Sequence, residues 1–80
     1  MKIYGYTKDV IEKEDARPSE LVETTVVASP KELRKLASFL AEQATKMEKY
    51  QEGYEHEHLC DNYPSFRDCP GFVIYNPQHL

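Results

Sequence analysis

His56-Glu57-His58 is the stretch of this chain whose residue types most plainly invite chemistry. In an extended segment residues i and i+2 face one side, so both imidazoles can meet a single metal ion. Asp61, Cys60, Cys69 or His79 offers a third ligand, and a mixed N, O and S donor set favours zinc. No CxxC or HExxH spacing accompanies the pair, so a small zinc-binding protein ranks second among the readings. A histidine beside carboxylates is also a general acid or base near neutral pH, and Cys60 or Cys69 beside it would supply a nucleophile. No nucleophile elbow, phosphate-cradling glycine loop or kinase signature is present. A short chain also builds deep pockets poorly, so an enzyme ranks third. The plainest alternative packs His56 and His58 beside Tyr54 or Tyr63 and leaves the acids solvated.

The charge distribution points to the same stretch. Ten Lys and Arg oppose fourteen Asp and Glu over eighty residues, a net charge of −4. Residues 51–70 hold Glu52, Glu55, Glu57, Asp61 and Asp68 against Arg67 alone, so the other sixty residues are neutral in sum. An acidic balance argues against a nucleic-acid partner, whose footprint is a basic face. Tyr54, Tyr63 and Phe66 lie in the same segment, an acidic, aromatic-rich run of the kind that recognition loops carry. The first-ranked reading is therefore a protein-binding surface formed by Tyr54, Glu55, His56, Glu57, His58, Asp61 and Tyr63.

The elements that must position this segment are legible in part. Lys2 to Tyr6 alternates and favours a strand; Thr7 to Ser19, with seven charges and a proline, reads as a connection. Glu20 to Ala28, dense in Val and Thr, predicts the best strand in the protein. Ser29, Pro30 and Glu32 then spell a capping box with proline in the first helical turn. Leu33, Leu36, Ala37, Leu40, Ala44 and Met47 follow at helical spacing, widened by Phe39 and Tyr50, to an end near Gln51 or Glu52 with Gly53 as the left-handed cap. Residues 54–71 read as a loop, Phe72 to Tyr75 as the last strand, stopped by Asn76-Pro77, and His79 as frayed.

These elements give a single α+β domain over residues 1–80. The expected architecture is β-β-α-β: a three-stranded antiparallel sheet of order 2-1-3 with one long helix on one face, approached closely at Gly5. Neither sheet face would be wholly polar, so the face away from the helix is either covered by residues 54–71 or open to a partner, a second copy included. No apolar run has the length of a membrane span, and the MKIYGYTKD start lacks a signal-peptide core, which predicts a cytoplasmic location. Two cysteines in that setting are expected as reduced, small buried groups, with a disulfide open to them on oxidation.

MKIYGY, the SP-capped helix within VVASPKELRKLASFLAEQATKM, HEHLCD after it and the closing FVIYNP together resemble the immunity-protein-32 family, small bacterial proteins of polymorphic toxin systems. The resemblance touches most of the chain, while DNYPSFRDC lies outside it. It implies an α+β fold and neutralisation of a cognate toxin by binding, with no catalytic residue to carry over. On that reading His56, Glu57, His58 and Asp61 belong to the binding surface or shape it.

Overall fold

Helix α2, Pro30–Tyr50, is the longest element of the computed structural model, which describes residues 1–80. Its start follows the sequence signal. Ser29 N donates to Glu32 Oε1 at 2.9 Å, and Glu32 N donates to Ser29 Oγ at 3.2 Å, so two otherwise orphaned amides are satisfied reciprocally. Before it come β1 (Tyr4–Gly5), α1 (Lys8–Ile11) and β2 (Ser19–Glu20); after it come β3 (His56–His58), α3 (Leu59–Asn62) and β4 (Val73–Tyr75). Short 3-10 turns occupy Gln51–Gly53, Pro64–Phe66 and Pro77–His79.

The chain is α+β, but the expected three-stranded sheet does not form. Two separate antiparallel ribbons stand in its place, β1 with β2 and β3 with β4. The last strand meets the His56–His58 segment because the two are close in sequence, whereas reaching β1 would close a loop through nearly the whole chain. The strand expected over Glu20 to Ala28 shrinks to Ser19–Glu20 because no partner strand runs beside its remainder. Gly5 is approached closely by Leu21, not by the helix: a Cβ there would lie 3.1 Å from Leu21 Cδ1. The expected connections at 7–19 and 54–71 also acquire structure, namely α1 in the first and β3, α3 and a 3-10 turn in the second.

Helix α2 is rotated relative to its predicted apolar stripe. Phe39 and Gln43 are its buried residues, with Leu36 and Met47 half-buried, while Leu33, Ala37, Leu40 and Ala44 are exposed. Phe39 decides this setting. It is the largest side chain fully excluded from water, and it packs with Leu59 of α3 and Phe66 in a core edged by Leu36, Tyr63, Phe72 and Ile74. The Tyr63 ring meets Phe39 edge-on at 6.2 Å between centroids, a favoured aromatic geometry. The helix ends at Gln51, and that residue, not Gly53, takes the positive φ, 49° with ψ −116°.

Candidate functional site

The register of the second ribbon sets out the site. His56 faces Tyr75, Glu57 faces Ile74 and His58 faces Val73. Opposed residues share a sheet face and neighbours alternate. Ile74 edges the core, so Glu57 turns toward the protein, while His56, His58, Tyr75 and Val73 form the outer, exposed face. The ladder is extended at both ends, by Asn76 N donating to Glu55 O at 2.8 Å and Leu59 N donating to Phe72 O at 2.9 Å.

On that outer face His56 lies parallel to Tyr75, 5.6 Å between centroids, and edge-on to His58 at 5.2 Å. His56 Nδ1 lies 3.0 Å from Glu55 Oε1, which orients the ring with Nδ1–H toward the carboxylate. Glu57, half-buried, accepts from Asn62 Nδ2 at 3.2 Å, and the same amide reaches His58 O at 3.0 Å. Asp61 is exposed in the first turn of α3. The shared face anticipated for His56 and His58 is thus formed, but no group of three His, Cys, Asp or Glu side chains suited to a metal is assembled. Two imidazoles fall short of the four-ligand closure of a structural zinc site, so the residues present do not fit one.

Two aromatic candidates lie inward. Tyr54 is buried and its hydroxyl donates to Gln43 Oε1 at 2.8 Å. Tyr63 is half-buried, its ring against Phe39 and its hydroxyl donating to Glu42 Oε1. Burial, then the nearby Glu57 charge, holds the Tyr54 phenol above the usual 10.0. The hydrogen bond to Glu42, then desolvation, does the same for Tyr63. Folded phenols with raised values bind their protons more tightly than unfolded ones. Their contribution is therefore complete below pH 10.0 and lost as pH climbs through the folded values. Phenolate absorbance is expected to show two of the six tyrosines ionising late, together with loss of ellipticity. Tyr54→Phe and Tyr63→Phe should each remove part of that late phase; a titration without any lag would contradict the arrangement.

Residues outside the predicted set hold the site in place. Asn76, buried, donates from Nδ2 to Gln51 O at 2.9 Å and Tyr54 O at 2.8 Å, and its Oδ1 accepts from Gln78 N at 3.0 Å. His79 Nε2 donates to Glu52 O at 2.7 Å, so the end expected to fray is tied to the turn after α2. Gln43 is buried with its Nε2 unpartnered, the one such side-chain atom in the chain. Asn before Pro was a visible capping signal; Gln43, four residues after Phe39, carried only its helical spacing. Both cysteines are exposed free thiols, contrary to the expectation that they are buried.

Beside the hairpin runs an open groove lined by Lys46, Tyr50, Gly53, Tyr54, Glu55, His56 and Glu57. The acids of 51–70 lie beyond ion-pair distance of any Lys or Arg; the ion pairs present are Lys2 with Glu20, 3.8 Å, and His56 with Glu55. No helix is long and apolar enough to cross a membrane. Comparison with protein-family profiles, with curated proteins and with solved structures finds no match for the chain.

Proposed function

We propose that this chain is a protein-binding module that docks a cationic partner through the acidic segment around the β3–β4 hairpin, in the manner of a toxin-neutralising immunity protein. The observation that carries the reading is the uncompensated charge: Glu52, Glu55, Glu57, Asp61 and Asp68 have no Lys or Arg within ion-pair distance. An electronegative surface of that kind accelerates encounter with a basic cleft, and enzymes acting on nucleic acid present such clefts. His56, His58, Tyr75 and Val73 add an exposed, partly aromatic face, a composition enriched where proteins meet. Tyr54 and Tyr63 act in this reading from behind, by fixing the hairpin to α2.

The test is the association rate with the product of the neighbouring gene, measured by stopped flow across a salt series. The rate is expected to fall by about tenfold or more from low to physiological salt. Glu55→Lys with Asp61→Lys should slow association further while leaving the fold intact, since both side chains are exposed. Glu57 is left alone because Asn62 depends on it. A rate indifferent to both salt and charge reversal would remove electrostatic docking from consideration.

A further inference from the structure

Residues 22–28, VETTVVA, carry five β-branched, strand-favouring residues but form no strand. No backbone or side-chain hydrogen bond involves any of them, although the ladder before them runs to Leu21, whose N donates to Ile3 O at 2.8 Å. Val22 and Val27 are almost fully solvated, at 106% and 94% exposure, and Val26 is at 52%. None of the seven has a positive φ, and past a bend at Val22 the segment holds no helix or turn. We propose that this segment pairs with the same segment of a second copy of the chain, in antiparallel register about Thr25, and that the protein is a two-fold homodimer.

Surface area supports a missing subunit. The chain exposes 6904 Å², whereas a compact monomer of 9.3 kDa exposes about 5,000 Å². The excess, about 1,900 Å², exceeds the roughly 800 Å² that each partner contributes to a standard interface. The Cα radius of gyration, 13.6 Å, also exceeds the about 11.6 Å of a compact chain of this length. Helix α2, which follows the segment directly, leaves Leu33 and Leu40 exposed, so more apolar surface adjoins the junction.

The sequence of the segment favours a copy of itself over a foreign strand. Pairing about Thr25 sets Thr25 against Thr25, Thr24 against Val26, and Val22 against Ala28 on the partner's strand, all β-branched or small combinations. Glu23 is the only charge, and this register puts it opposite Val27, with the two Glu23 carboxylates about 13 Å apart along the junction. No like charges meet, and each exposed valine gains a cross-strand neighbour. The surface is distinct from the acidic hairpin face, so dimerisation and docking of a cationic protein can be tested separately.

Sedimentation velocity and light scattering of the full chain, from about 5 to about 500 µM, are expected to give twice the monomer mass with concentration-dependent dissociation. With the two Thr25 residues as a hydrogen-bonded pair, Thr25→Pro removes the ladder donors at the two-fold centre and should weaken association by about tenfold or more. Thr25→Lys places two cations face to face and should do likewise, whereas Val27→Lys meets Glu23 of the other copy and should cost less than about threefold. Far-UV ellipticity checks that α2 survives in each variant, and the lysine pair decides the matter if the proline variant loses it. A monomer at every concentration overturns the proposal, as does a dimer unmoved by Thr25→Pro and Thr25→Lys. A Val27→Lys loss equal to that of Thr25→Lys overturns the Thr25-centred register.

Discussion

Phe39→Ala is expected to abolish cooperative folding of this chain. Phe39 is 0% exposed and joins α2 to both Leu59 and Phe66, with Tyr63 edge-on to its ring. Truncating a buried phenylalanine to alanine typically costs about 3–5 kcal/mol, through lost transfer energy and the cavity left behind. Total stability for eighty residues is on the order of 4–12 kcal/mol, so the loss takes from about a quarter to all of the margin. The core has few other members, and no second cluster can absorb the change. Urea titration followed by near- and far-UV circular dichroism should show tertiary signal vanishing before helicity. Phe39→Leu should recover much of it; a wild-type midpoint for Phe39→Ala would refute this account of the core.

Asn76→Ala is the second large effect. Nδ2 of Asn76 satisfies two carbonyls, those of Gln51 and Tyr54, and Oδ1 accepts from Gln78 N, all through a side chain 2% exposed. Alanine leaves Tyr54 O, buried, and Gln51 O and Gln78 N, part-buried, without this partner, at about 1–3 kcal/mol for each group that water cannot reach. A total of about 3 kcal/mol is expected, together with faster amide exchange after Tyr75 as the turn holding His79 comes loose. Asn76→Asp is the sharper comparison. It keeps the shape but sets carboxylate oxygen against two carbonyl oxygens, so it should be at least as damaging near neutral pH. An aspartate variant as stable as the parent would show that the amide donor is not what holds the C-terminal segment.

Legibility in the sequence followed the range of the interactions. Ser29, Pro30 and Glu32 act on one another within one helical turn, and the capping box is present as spelled. The alternation in His56-Glu57-His58 likewise sufficed to place both imidazoles on one face. The helix stripe held at Leu36, Phe39 and Met47 but misled at Leu33, Ala37, Leu40 and Ala44, which satisfy helical spacing equally well, and it left out Gln43. Which stripe turns inward depends on where the short elements after α2 deliver Leu59 and Phe66. The strand propensity of Glu20 to Ala28 misled for the complementary reason: a strand requires a partner, and propensity does not supply one.

For the candidate site, the sequence identified the acidic, aromatic segment but could not sort its members by direction. Tyr54 and Tyr63 stand inward and the imidazoles outward because β3 pairs with β4 and Ile74 turns into the core. Asn76 and Gln43, neither of which drew notice as a functional residue, do the positioning, since one buried amide can hold a backbone group 25 residues away in the chain. The sequence by itself determined the capped helix, the charge segregation and the two-residue alternation, all set by neighbours along the chain. Only the tertiary structure decided which helix face is buried, which strands pair and which rings meet solvent, because those outcomes depend on contacts between segments that folding must first bring together.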